Sequence, residues 1–240
     1  MRKLLLSHAN PAQRQLLDLA SPHYRAYAQR HGYETRLVMS PLAAGYRTPQ
    51  WAKIALLRDA LADADLCLWL DNDLVLRDQE HDIADGLDDA DFQAFCLEQT
   101  PHGFGPNSGV WLMRSCPEAK AFLDDVWLTG PLPDATLNDQ ATIAHLLGFS
   151  YLPTFTKPIA SSRYLAHTGW LDARWNMLSV FHPEAPLVAR AVHYGGLDFA
   201  AKYEAMREQL IRDRLPGFET LLDPAVVAEL TAPHYPHPCP

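Results

Sequence analysis

Apolar residues come in short runs separated by stretches of helical periodicity, and that alternation sets the first expectations. Lys3-Leu4-Leu5-Leu6 reads as a short buried strand. Ser21-Pro22 offers a helix cap with proline at the first helical position, predicting a helix to about His31 that Gly32 closes in the left-handed conformation. Glu34 to Met39 alternates as the next strand. Thr48-Pro49 repeats the start signal, Trp51, Ile54, Ala55, Leu57 and Leu61 fall on helical spacing, and Leu66-Cys67-Leu68-Trp69-Leu70 is an apolar run of strand length. This β-α-β-α-β rhythm requires parallel strands with helical crossovers covering both sheet faces, the α/β class. Phe92 to Leu97 and Val110 to Met113 are predicted strands, and Pro117 to Trp127 and Leu197 to Arg214 predicted helices. Prolines between Pro131 and Pro186 predict long loops, where substrate contacts are usually built.

Composition narrows the class. The 240 residues fit one large domain, with a net charge of −9 and a pI of about 5.6, which disfavours nucleic-acid binding because a phosphate backbone needs a basic face. The run Leu4-Leu5-Leu6 ends at Ser7, too short for an export signal, and no apolar stretch approaches the roughly 20 residues of a membrane span. Cys67, Cys96, Cys116 and Cys239 lack CxxC spacing, so small apolar filler in a reducing, cytoplasmic setting is expected. Seven acidic residues without Lys or Arg between Asp78 and Asp91 read as a solvated helix or loop, and 232–240, rich in Pro and His, as a flexible tail.

Chemistry concentrates where carboxylates interrupt an apolar run. In Leu70-Asp71-Asn72-Asp73-Leu74 the acids stand at i and i+2 after a buried strand, so an extended segment points both into the crevice at the carboxyl edge of a parallel sheet. Adjacent carboxylates repel unless a proton or cation lies between them, and hard oxygen ligands suit Mg²⁺ or Mn²⁺. One Asp capping a turn is the competing reading. Val192-His193-Tyr194-Gly195-Gly196 adds an imidazole, which suits Mn²⁺ better than Mg²⁺, and two glycines that allow close backbone approach to a bulky anion. An ordinary histidine before a Gly-Gly turn is the alternative.

Taken in order, five blocks resemble the GT-A-fold glycosyltransferases, which use nucleotide-sugar donors. Trp51-Ala52-Lys53-Ile54 is similar to their W-x-K-I helix and Asp71-Asn72-Asp73 to their DxD strand. Asn107-Ser108-Gly109-Val110-Trp111-Leu112-Met113-Arg114 is similar to their N-[ST]-G-V-F-L-[IM]-R block, Asn138-Asp139-Gln140-Ala141 to their D-Q-x-A helix, and His193 with its glycines to their C-terminal metal histidine. The nearest group is the retaining galactosyl-, mannosyl- and xylosyltransferases, with glycogenin-like enzymes more distant. Those carry a lysine soon after the histidine block, and this chain has none before Lys202. The resemblance implies a mostly parallel central sheet with helices on both faces, in one domain over 1–231 whose donor-binding half is about 1–115 and acceptor half 116–231.

The resemblance further implies that the donor is a UDP-sugar, that Asp73 and His193 ligate Mn²⁺ or Mg²⁺ together with its diphosphate, and that Asp71 joins this metal site through a water or contacts the donor ribose. Lys53, Asn107, Ser108, Gly109, Gly195 and Gly196 would contact the donor, and Asp139 and Gln140 would be catalytic, with Asn138 capping their helix. Either the pair supports front-face transfer or Asp139 is a transient nucleophile. Lys53 as an exposed helix lysine, and Asp139 as an acid at a helix N-terminus, are the competing readings. Ser7 to Asn10 would lie near the nucleotide base. Trp111, Trp170 and Trp175 are aromatic surfaces for an acceptor, with Trp175-Asn176 the foremost. Two rivals remain at this level: a haloacid-dehalogenase-type phosphatase with Asp71 as nucleophile, since an apolar strand also precedes its DxD, and a non-catalytic nucleotide-sugar or glycan-binding protein.

Overall fold

A computed structural model describes residues 1–40, 48–100, 103–150 and 160–222. The chain runs β1 (Lys3–Ala9), α1 (Arg14–His31), β2 (Tyr33–Met39), α2 (Ala52–Ala60), β3 (Leu66–Leu70), β4 (Leu74–Leu76), β5 (Gln93–Thr100), β6 (Gly103–Arg114), α3 (Pro117–Thr129), α4 (Asn138–Leu146), β7 (Thr168–Leu171), β8 (Met177–Leu178), α5 (Ala185–Val188), β9 (Ala191–His193) and α6 (Phe199–Arg212). The main sheet has the order β2-β1-β3-β6-β5-β7, and a smaller one β4-β9-β8. The expected β-α-β-α-β unit forms: β1 pairs in parallel with both β2 and β3, while β6 runs antiparallel between β3 and β5. The architecture is α/β.

Continuous apolar runs bury both sheet faces because successive side chains alternate. Along β3, Leu66, Leu68 and Leu70 enter one core with Leu5, Tyr24 and Tyr27, while Cys67 and Trp69 enter the other with Leu4, Leu6, Trp51 and Phe122. The expectation for Cys67 and Cys96 as filler holds: both are fully buried, and burial pushes the Cys67 thiol up to about 12. Cys239 and the 232–240 tail lie outside the described residues.

Two helix starts differ from expectation. Helix α1 begins at Arg14, with Ser21 and Pro22 inside it. The start signal is Asn10-Pro11, where Asn10 Oδ1 accepts from Gln13 N at 3.0 Å before a single 3₁₀ turn. Leu16, Ala20, Tyr24 and Tyr27 form a buried stripe through the Pro22 region, and packing of that stripe carries the helix past the proline. At α4, Asn138 does not cap: it has φ of 48°, and its Oδ1 instead accepts from the Thr48 hydroxyl at 3.1 Å. The acidic stretch after Asp78 is mostly loop, but Asp82 is partly buried in it, accepting from Lys3 Nζ (2.7 Å) and Tyr33 Oη (2.7 Å).

Candidate active site

Strand pairing brings the distant blocks together. Leu70 stands opposite Val110, and Asp71 N continues the ladder by donating to Gly109 O at 2.8 Å. Leu74 stands opposite His193, and Tyr194 N donates to Asp73 O at 2.9 Å. The two acids therefore leave the end of β3 between β6 on one side and β9 on the other. Tyr24, buried in α1, holds the turn itself by donating to Asp71 O (2.7 Å) and Leu74 O (3.1 Å). The register of β5 on β6 jumps between Phe95, opposite Trp111, and Cys96, opposite Asn107. This bulge lets β6 run through Asn107 to Gly109, ahead of the strand predicted over Val110 to Met113, and turns that segment toward the crevice.

Asp71, Asp73 and His193 each offer a ligand atom, all within 4.8 Å of one another. His193 Nε2 lies 3.2 Å from Asp73 Oδ1 and 3.9 Å from Asp71 Oδ2, while its Nδ1 is 2.9 Å from Asn176 Oδ1. Two carboxylates and an imidazole nitrogen, converging and largely buried, are a donor set that suits Mn²⁺ or Mg²⁺. Burial opposes charge on Asp73, but His193 and Lys202 outweigh it and hold the carboxyl well below its usual range; the same attraction holds His193 above the usual imidazole value against desolvation.

The glycines have a steric role at this point. A Cβ on Gly109 would sit 2.6 Å from His193 Cε1, and one on Gly195 would sit 3.0 Å from His193 Nε2. Both therefore make room for the imidazole. Gly196 has φ of 83°, in the left-handed region.

Lys53 is not an exposed helix lysine. It is 4% exposed, and its Nζ meets Ser108 O (2.8 Å), Ser108 Oγ (3.0 Å), Asp71 Oδ1 (3.0 Å) and Asp139 Oδ2 (3.6 Å). Burial works against its charge, yet Asp71 and Asp139 hold its pKa above the usual lysine value. Asp139 is raised in turn, chiefly by desolvation. Gln140 Oε1 accepts a long hydrogen bond, 3.4 Å, from Ser108 N. All of these residues, with His8, Gln13, Asn72 and Gly195, line one cavity of about 420 Å³.

Of the aromatic surfaces, Trp111 is in the core, stacked on Phe95, and Trp175 is buried beneath the Arg190 guanidinium. Trp170 is partly exposed, 5.9 Å from Phe149 between ring centres. Asn176 Oδ1 faces the His193 ring. Three residues of the site were not anticipated: Glu98, which accepts from Asn107 Nδ2 at 2.6 Å; Asn176 in its role against His193; and Lys202, whose Nζ lies 2.6 Å from Asp73 Oδ2. Glu98 ends an apolar strand run just as Asp71 does, a signal that could have found it.

No family model matches the chain, nor does any curated protein. Solved structures do. A glycosyltransferase involved in glycosylation of the major capsid of PBCV-1 superposes with a TM-score of 0.65 at 19% identity, covering 87% of this chain and 100% of that one. The galactosyltransferase LgtC, solved with donor and acceptor sugar analogs, gives 0.56 at 12% identity, covering 86% and 94%. GlyE of Streptococcus pneumoniae TIGR4 gives 0.58 at 15% identity, covering 96% of this chain and 63% of that one. The chain has the GT-A fold. In this GT-A chain the DxD strand β3 is the third strand, flanked by β1 and β6, whereas the phosphatase alternative expects its domain to begin there. Among the described residues no helix is long and apolar enough to cross a membrane.

Proposed function

We propose that this chain is a metal-dependent glycosyltransferase that moves a hexose or pentose from a nucleoside-diphosphate sugar, UDP-linked, to a hydroxyl acceptor with retention. The observation that carries the reading is the convergence of Asp71, Asp73 and His193 beside the Lys53–Asp139 pair in one cavity of a GT-A fold. Bound there, Mn²⁺ or Mg²⁺ would neutralise the charge that builds on a departing diphosphate. Imidazole among the ligands favours Mn²⁺.

The chain's own residues supply the rest. Lys53 and Trp69 Nε1, 2.7 Å from Asp71 Oδ1, occupy that oxygen and leave Oδ2 for the cation. Lys202 brings a second positive charge to the diphosphate side. Asn107 and Ser108 form the sugar-side wall, with Gly109 behind them against the His193 ring, and Gly195 and Gly196 bring backbone close to the phosphates. Gln140, partly exposed in the cavity, presents its carboxamide to the front face of the sugar, where the leaving phosphate takes the acceptor's proton. Asp139 is 4% exposed and counter-charged by Lys53, which favours an electrostatic role over that of nucleophile. We read 1–231 as a single domain, with the donor bound by 1–115, and place it in a reducing, cytoplasmic setting, in keeping with the free thiols of Cys67, Cys96 and Cys116.

The test is calorimetric titration of UDP with and without Mn²⁺. Affinity rises markedly with the metal in the wild type, and Asp73→Ala abolishes that linkage without unfolding the protein. Equal affinity with and without metal in the wild type overturns the reading. NMR of the anomeric configuration of the transferred sugar decides retention.

A further inference from the structure

Behind the carboxylate-facing nitrogen of His193 runs a chain of hydrogen bonds whose polarity is fixed at each step. Gly109 N–H, which can only donate, gives its proton to Asn107 Oδ1 at 2.7 Å. The Asn107 amide is thereby oriented, and its Nδ2 donates to Glu98 Oε2 at 2.6 Å. Asn107 Oδ1 also accepts from Asn176 Nδ2 at 2.8 Å, which leaves Asn176 Oδ1 facing His193 Nδ1 at 2.9 Å. An amide oxygen only accepts, so the proton between them belongs to Nδ1. Glu98, Asn107, Asn176 and His193 are each 7% exposed or less, so water does not compete for these bonds.

We propose that Asn176, anchored through Asn107 on Glu98, is a positioning residue that keeps a proton on His193 Nδ1 and so reserves Nε2 as the metal-binding atom. A cation binds the ring only once one proton has left it: with the Asn176 oxygen on Nδ1 the proton that leaves is the one on Nε2, whereas without that oxygen Asp73 Oδ1, 3.2 Å from Nε2, keeps the proton there and blocks the lone pair a cation needs. The β5–β6 bulge is what makes the relay: it sets Asn107 opposite Cys96 and brings Gly109 N–H onto the Asn107 amide. The inference rests on the metal reading given above, but the position of the proton is readable without metal.

The experiment is NMR on the full chain labelled with ¹⁵N-histidine, metal-free, together with counting of free Mn²⁺ by electron paramagnetic resonance. The wild type shows a slowly exchanging proton on His193 Nδ1. Asn176→Leu loses that signal and binds Mn²⁺ about 10–100-fold more weakly, the range for removal of a partner that orients a ligating histidine. Asn176→Asp restores the Nδ1 proton and part of the affinity, because a carboxylate oxygen accepts from Nδ1 while its second oxygen repels Asn107 Oδ1. A bare Nδ1 in the wild type, or a Nδ1 signal unchanged in Asn176→Leu, overturns the proposal. Absence of Mn²⁺ binding by the wild type defeats the metal reading instead, and the NMR result still decides the relay. Asn176→Asp provides the comparison should the leucine variant fail to fold.

Discussion

Lys202 Nζ lies 2.6 Å from Asp73 Oδ2, an ion pair that joins helix α6 to the DxD strand across 129 residues of sequence. Lys202 is 15% exposed and Asp73 11%, so the pair is poorly screened by water. The lysine neutralises a carboxylate that a dication also needs, and a bound diphosphate offers it an alternative partner. Lys202→Met therefore has opposite effects on the two ligands. Mn²⁺ binding to the nucleotide-free protein strengthens, and UDP binding in saturating Mn²⁺ weakens about 10- to 100-fold, the size of one charge-assisted hydrogen bond. Calorimetry of each ligand separately checks it; a loss in both would make Lys202 a structural prop.

Gly109 predicts a steric effect on the same ring. A methyl placed 2.6 Å from His193 Cε1 and 2.8 Å from its Nδ1 forces the imidazole to move. Gly109→Ala should lower stability by about 1–3 kcal/mol, the usual penalty for overpacking, and weaken Mn²⁺ binding with it. Urea denaturation and metal titration on the same preparation read both. An unchanged metal affinity would mean that the ring is not held where the structure has it.

How far the sequence disclosed this site depended on the distance over which each interaction acts. The strands β1 to β3 and their parallel pairing followed from local hydrophobic runs, since Leu66 to Leu70 has no other way to hide five apolar residues. The DxD acids and His193 stood out because polar groups ended apolar strands. The start of α1 did not, because a tertiary stripe from Leu16 to Tyr27 overrode the local signal at Ser21-Pro22. Lys202 and Glu98 escaped notice for the same reason. Their significance arises only when α6 and β5 pack beside β3 and β6; Lys202 carries no local pattern that distinguishes it from a surface charge, whereas Glu98 closes an apolar run as Asp71 does. Gly195 was singled out for backbone approach to a bulky anion and Gly109 for contact with the donor, yet the contact the fold imposes on both is with His193.

Gln140 separates binding from chemistry. Among the described residues its carboxamide accepts only a long bond from Ser108 N, and it lines the cavity, so it has capacity left for a substrate. With the donor specificity known, Gln140→Ala should lower kcat by about 10²-fold or more with KM for the donor nearly unchanged, the pattern of an interaction formed mainly in the transition state. Steady-state kinetics show it. A rise in KM at constant kcat would move Gln140 to ground-state binding.

Lys53 carries stability as well as charge. It is the cation beside Asp139 Oδ2, an oxygen that is buried and makes no hydrogen bond among the described residues. Lys53→Met removes that counter-charge and should destabilise the protein by about 3–5 kcal/mol, as breaking a buried ion pair does. Adding Asp139→Asn removes the stranded charge and should restore much of the loss. Urea denaturation of the single and double variants makes the comparison; additive destabilisation would show that the two side chains are not coupled.

His23 gives the fold a pH dependence away from the site. The ring is fully buried in α1, and desolvation, only weakly opposed by the Leu19 and Leu74 carbonyls, pushes its pKa down to about 3 from 6.5. The unfolded chain therefore binds a proton at this residue between those values while the folded one does not. Stability contributed by the neutral ring is present above pH 6.5 and declines as pH falls through the window, by about 1.4 kcal/mol per unit. His23→Leu removes that proton from the unfolded state. Whatever its stability at neutral pH, the variant should lose less on acidification, so the difference between the two proteins shifts in its favour by about 1.4 kcal/mol for each unit below pH 6. Urea midpoints at several pH values down to 4 decide the matter: parallel profiles for wild type and variant would show that His23 is charged in the native state or reached by water.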